Sequence, residues 1–158
     1  MLDHMVIRLG KYLRIAGYDA EWDLLVRTHE LIVRANAEGR IFITRNRRLP
    51  CQYPVPQRAV VLIETDPVQQ LRQLEVELGI DTRSRLFVRC IRCNVDLLPV
   101  DDASTLTGRV HPNVLRQHTS FYTCPSCGTV FWRGSHVRNT CRKLGLRPPA
   151  GTSPDEHA

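Results

Sequence analysis

Long apolar runs are missing from this chain: the longest wholly apolar stretch is Ala59 to Ile63. A membrane-spanning helix needs about 20 such residues. The N-terminus also shows no apolar segment behind a basic start, so neither a span nor a signal peptide is expected. Lysine is scarce, with arginine making up 20 of the 22 basic residues. Arginine's planar fork suits phosphate, although a GC-rich genome raises its count as well. No internal repeat is visible apart from two cysteine pairs. These absences point to a cytoplasmic chain that does not use a membrane as partner.

The cysteine pairs are Cys90-Ile91-Arg92-Cys93 and Cys124-Pro125-Ser126-Cys127, with 30 residues between them. A Cys-x-x-Cys pair on a tight turn aims two thiolates at one centre, and two such turns supply the four soft ligands of a tetrahedral structural zinc. Asn94 and Gly128, which follow the pairs, both tolerate the left-handed backbone that a metal knuckle needs. One pair alone also suits redox chemistry, but two at this spacing predict a zinc ribbon. In a reducing compartment such cysteines hold metal more readily than they form disulfides. Cys51, in a proline-rich loop, reads as an ordinary free thiol. Cys141 reads either as the same or as a spare ligand.

Charge divides the chain. Residues 1–82 carry 11 basic and 11 acidic side chains, whereas residues 83–158 carry 11 and 5, the whole of the net +6. A basic, metal-stabilised module beside a neutral one suggests a polyanion partner, with nucleic acid the foremost candidate. The sequence carries no signal for an oligomeric state.

The first half alternates helix and strand. Val6, Leu9, Leu13 and Ala16 share a helical face, with Gly17 as the stop. Tyr18 to Trp22 predicts a short strand. Thr28 offers an N-cap, Leu31, Ile32 and Ala35 a stripe, and Gly39 the next stop. Ile41 to Thr44 and Val60 to Ile63 are compact runs of the kind buried in parallel sheets. Asp66-Pro67 opens a helix lined by Val68, Leu71, Leu74 and Leu78. Such alternation predicts a parallel α/β layer over 1–82. A small β zinc ribbon follows over 86–147, with strand-like pieces at Leu86 to Val88 and Thr129 to Trp132 and a helix near Pro112 to His118. The Pro/Gly/Ser-rich tail, 148–158, predicts disorder. A helix beginning three or four residues into the chain leaves Met1-Leu2-Asp3 too short for a first strand. The expectation is that the sheet lacks that strand or that the true start lies upstream.

Ligands collect at the carboxyl ends of parallel strands, and Asp3, Asn46 and Asp66 fall there. Clustered carboxylates there would hold magnesium or manganese for phosphodiester hydrolysis. Each has a second reading: Asp3 caps the first helix, Asn46 builds a turn, and Asp66 before Pro67 is an N-cap. Arg45, Arg47 and Arg48 flank the same strand end and would meet a phosphate backbone. After the second knuckle, Trp132-Arg133-Gly134-Ser135-His136 and Arg138 combine stacking with charge, as single-strand RNA binding does. Trp132 reads equally as packing over the knuckle. His136 reads as a zinc ligand, a catalytic acid or a structural hydrogen bond.

Several stretches occur together in order: Gly10-Lys11-Tyr12-Leu13-Arg14-Ile15-Ala16-Gly17-Tyr18-Asp19, Ile43 to Arg47, Arg89 to Asn94, and Tyr122 through Cys124, Cys127-Gly128 and Phe131 to His136. With these the chain resembles the Mut-seven C-terminal ribonuclease domain family, a PIN-like fold fused to a zinc ribbon, over about residues 1–140. The resemblance implies a PIN-like parallel sheet with flanking helices, an acidic metal site and ribonuclease activity. The family's aspartate ending its first strand matches Asp3. Where the family usually carries Thr-Arg-Asp, this chain has Thr44-Arg45-Asn46, a ligand with one charge fewer. The acid that related domains place at the start of the second helix corresponds to Glu30. Three functions follow: a metal-dependent ribonuclease placing magnesium or manganese with Asp3, Asn46 and Glu30; a non-catalytic RNA-binding protein; or an adaptor docking through the ribbon.

Overall fold

A computed structural model describes residues 1–49 and 54–147. The chain forms two compact units, Met1–Asn94 and one beginning at Val95. The architecture is mixed α/β, with a small parallel sheet in the first unit and a separate antiparallel sheet in the second. Among the described residues no helix is long and apolar enough to cross a membrane. Cys51 and the tail 148–158 lie outside the described residues.

In the first unit, a 3-10 turn at His4–Val6 leads into α1, Ile7–Ile15. Val6, Leu9, Leu13 and Ala16 are all buried, as the helical spacing requires. α2 spans Thr28–Ala37 and buries Leu31, Ile32 and Ala35 against Met1, Phe42 and Leu49. Its N-cap position is Arg27, and Thr28 is the first helical residue, so the expected threonine cap is not made. α3, Pro67–Leu78, begins as read: the Asp66 carboxylate accepts from the Val68 and Gln69 N–H groups at 3.0 and 3.1 Å. Asp66 is therefore a helix cap, satisfying two of the donors that a helix start leaves over.

The parallel sheet pairs β1, Phe42–Thr44, with β2, Ala59–Val61, in the register Phe42 to Ala59 and Thr44 to Val61. Met1–Asp3 runs along the other side of β1. Leu2 bridges Ile43 in parallel. Ile43 N–H donates to Met1 O and Asp3 N–H to Ile43 O, each at 2.9 Å, and Leu2 N–H donates to Glu21 O at 2.8 Å. This three-residue segment thus bonds Ile43 on one side and, through Leu2, Glu21 on the other, and Asp3 is its carboxyl-terminal residue.

Two expected strands are corrected. Tyr18 to Trp22 belongs to no sheet; the Ala20 N–H and carbonyl are taken by the side chains of Asn94 and Arg14. Leu86 and Phe87 instead end a turn, in which Phe87 has φ 60° and its N–H donates to Ile15 O at 2.7 Å, and Val88 is in no strand.

In the second unit, β3, Leu98–Pro99, pairs antiparallel with β4, Phe121–Thr123, which pairs antiparallel with β5, Val130–Trp132. The second cysteine pair forms the β4–β5 connection. Leu106, Val110 and Phe121 make the core, with Val130 and Trp132 packed on it. α4, Pro112–Gln117, lies where Pro112 predicted a helix. α5, Ser135–Leu144, buries Val137, Cys141 and Leu144 and ends at Gly145.

Candidate metal centre and strand-end site

The two knuckles are built alike. In the first, Cys93 N–H points to Cys90 Sγ at 3.5 Å and Asn94 N–H donates to Cys90 O at 3.0 Å. In the second, Cys127 N–H points to Cys124 Sγ at 3.5 Å and Gly128 N–H donates to Cys124 O at 2.9 Å. Closing each turn demands a left-handed residue after the second cysteine, and Asn94 and Gly128 have φ of 62° and 68°. Asparagine and glycine are the residues that accept this conformation at least cost.

The sulfurs of Cys90, Cys93, Cys124 and Cys127 all lie within 4.8 Å of one another. Tetrahedral zinc with Zn–S bonds of about 2.3 Å separates its sulfurs by roughly 3.8 Å. The donor set and its spacing therefore fit a tetrathiolate ion, and small movements complete the geometry. Thr129 Oγ1 stands 3.2 Å from Cys127 Sγ, adding a polar contact to that sulfur. Cys141 is fully buried in α5 and does not belong to the cluster. Burial pushes its thiol above the ordinary value, which suits a packed side chain and not a ligand.

At the strand end, Asp3 is 4 % exposed. It occupies the N-cap position of the first turn without making a cap bond. Its carboxylate instead accepts from the hydroxyl of Thr44, which is fully buried. That hydroxyl oxygen in turn accepts from Asn46 N–H at 3.0 Å. The Asn46 carbonyl oxygen accepts from Arg48 N–H at 3.0 Å, the turn-building role open to asparagine. Asp3 and Asn46 are thus joined through Thr44. Glu30 is exposed in the first turn of α2, with His29 Nε2 3.6 Å away. Among the described residues, no group of three or more His, Cys, Asp or Glu ligands gathers here. The acidic end of the site is one carboxylate and one amide.

Of the strand-end arginines, Arg47 and Arg48 are exposed and Arg45 is half-buried. Arg45 Nε is buried and has no hydrogen-bond partner among the described residues. In the second unit, Arg133 and Arg138 are half-buried. Trp132 packs on the core and meets the His136 ring edge-on at 5.7 Å and the His118 ring at 6.4 Å. Burial holds the His136 imidazole below its usual value, a hydrogen bond to the Trp132 backbone opposes this, and the nearby His118 charge adds to it. His136 is not a member of the cysteine cluster.

Thr44 and Arg14 escaped the sequence reading as site residues. Thr44 had a signal, a hydroxyl one residue before Arg45 at a buried strand end. Arg14 had one too, lying four residues after Gly10 and so on the same face of α1.

The family model for the Mut7-C RNAse domain matches residues 1–144. No curated protein and no solved structure is similar enough to count as a match. The chain belongs to the Mut7-C RNAse domain family. That membership suggests a ribonuclease-like function and an interaction with RNA.

Proposed function

We propose that this protein is a metal-dependent ribonuclease of the PIN-like class, acting on RNA phosphodiesters at the strand end that carries Asp3. The observation that carries the reading is the Asp3–Thr44–Asn46 chain of hydrogen bonds, which groups a buried acid and an amide beside Arg45, Arg47 and Arg48. Magnesium is commonly held by only one or two carboxylates, with waters and substrate phosphates completing the shell. Asp3 would hold one ion weakly in this way, the Asn46 carbonyl joining only on leaving the Arg48 N–H, while Glu30 remains an outlying candidate. When bound, such an ion activates water and steadies the departing oxygen. Asp3 supplies the charge, Thr44 orients its carboxylate, and the exposed Arg47 and Arg48, with the half-buried Arg45 beside them, suit the phosphate backbone. Arg133, His136 and Arg138 belong to the same proposal as RNA contacts of the second unit, and the four cysteines as the structural zinc site.

A second reading, a non-catalytic RNA-binding protein, draws on the Asn46 carbonyl being engaged in its own turn. Labelled single-stranded RNA incubated with magnesium or manganese separates the two. Cleavage is expected to be slow and to favour manganese, which tolerates imperfect geometry. Asn46→Asp is expected to raise the rate and Asp3→Asn to abolish it. Equal cleavage by Asp3→Asn would refute the assignment, and binding without cleavage in both parent and Asn46→Asp would establish the second reading. Absence of binding would leave the adaptor role.

A further inference from the structure

Arg14 is 5 % exposed, an unusual place for a guanidinium. Its Nε donates to Ala20 O at 2.8 Å, and its Nη1 donates to Ile91 O and Arg92 O, both at 2.9 Å. Its central carbon lies 3.7 Å from the centroid of the Trp22 ring. Gly10 makes room for this stack, since a Cβ there would meet Trp22 Cζ3 at 2.7 Å. Ile91 and Arg92 are the two residues between the first pair of cysteines. Ala20 closes the arrangement from its other side, its N–H donating to the Asn94 side-chain oxygen at 3.1 Å, while Asn94 Nδ2 donates to Asp19 at 2.6 Å. One residue, Ala20, is therefore held between Arg14, through its carbonyl, and Asn94, through its N–H.

We infer that Arg14, with Asn94, is a positioning residue of the zinc centre, setting the first knuckle and supplying positive charge beside its thiolates. This rests on the zinc reading of the four cysteines. The carbonyls of Ile91 and Arg92 face the guanidinium, so the opposite side of the turn, including Cys93 N–H, faces Cys90 Sγ. A tetrathiolate zinc carries a net charge of −2, and a buried cation within Coulomb reach of Cys90 offsets part of it. The second knuckle shows a solvent-exposed counterpart, where Arg109 Nη2 donates to Gly128 O at 2.6 Å. Partners beyond the ligands commonly alter metal affinity by about 10- to 100-fold when removed.

The test uses the full chain, with zinc content measured first, then zinc transfer to a chromophoric chelator and the visible spectrum of the cobalt-substituted protein. Arg14→Met keeps bulk and removes charge and donors, and is expected to speed zinc transfer by about tenfold or more and to shift the cobalt bands. Arg14→Lys restores charge without the fork and should recover part of the loss. Asn94→Gly keeps the left-handed backbone, removes both side-chain bonds, and should also speed transfer, carrying the test if Arg14→Met does not fold. Parent protein without zinc would overturn the zinc reading itself. Zinc-bound parent with unchanged transfer rates and cobalt spectra in Arg14→Met and Asn94→Gly would overturn this inference alone, even if both variants melt earlier.

Discussion

The hydroxyl of Thr44 donates to the carboxylate of Asp3, 41 positions away in sequence, and both residues are buried. The same oxygen accepts from the Asn46 N–H. One hydroxyl therefore serves as donor to the acid and acceptor for the turn that carries the arginines.

Replacing Thr44 by valine keeps the shape and removes both bonds. A buried carboxylate oxygen and a backbone N–H lose their partner, and such losses cost about 1–3 kcal/mol each. Urea unfolding should show a loss in that range, and a Thr44→Ser variant should recover most of it. Unchanged stability in Thr44→Val would mean that water replaces the hydroxyl.

Cys124→Ser should release zinc and unfold the second unit's β4–β5 hairpin. Tetrathiolate binding contributes on the order of 10 kcal/mol to modules of this kind, more than a small hairpin supplies by itself. Elemental analysis and circular dichroism before and after chelation check this. Native protein lacking zinc, or a variant as stable as the parent, would contradict it.

Arg47 and Arg48 are the exposed cations of the strand end. Changing both to alanine should weaken RNA binding and reduce the slope of log affinity against log salt by about 1.4, at about 0.7 per single-strand phosphate contact. The measurement is fluorescence anisotropy over a salt series. Binding that ignores salt would remove the phosphate-contact role.

His136 has an imidazole held below its ordinary value of 6.5, first by burial. The folded state therefore resists protonation more than the unfolded chain does. Its contribution to stability is complete above about pH 6.5 and declines as pH falls from there toward the depressed folded value. Unfolding of parent and His136→Gln across pH 5 to 8 should show a smaller decline in the variant. An NMR titration placing His136 at or above 6.5 would refute the assignment.

Much of the scaffold was legible locally. Both knuckles follow from cysteine spacing and a left-handed residue after the second cysteine, a rule contained within five consecutive positions. The helix stripes at Leu9, Leu13 and Ala16 and at Leu31, Ile32 and Ala35 follow from 3.6-residue periodicity, and the Asp66-Pro67 cap from local hydrogen-bond chemistry. Where reading failed, a distant side chain had claimed a backbone. The Tyr18 to Trp22 stretch has strand character, yet Arg14 and Asn94 bind both polar groups of Ala20. Periodicity does not register that competition.

The sequence by itself pointed to the four clustered cysteines, the principal helices, the two strands of the parallel sheet, the last strand of the second unit and the family, because each rests on short-range spacing or on residues in fixed order. Only the tertiary structure decided how the candidate site is wired. Asp3 sits opposite Thr44 because parallel pairing aligns Met1–Asp3 with β1, and Asn46 turns its carbonyl to Arg48 and not to an open site. Arg14 reaches the first knuckle because Gly10 admits Trp22 beside it. These are contacts between residues far apart in the chain, and their partners are chosen by packing and by the need to satisfy buried polar groups.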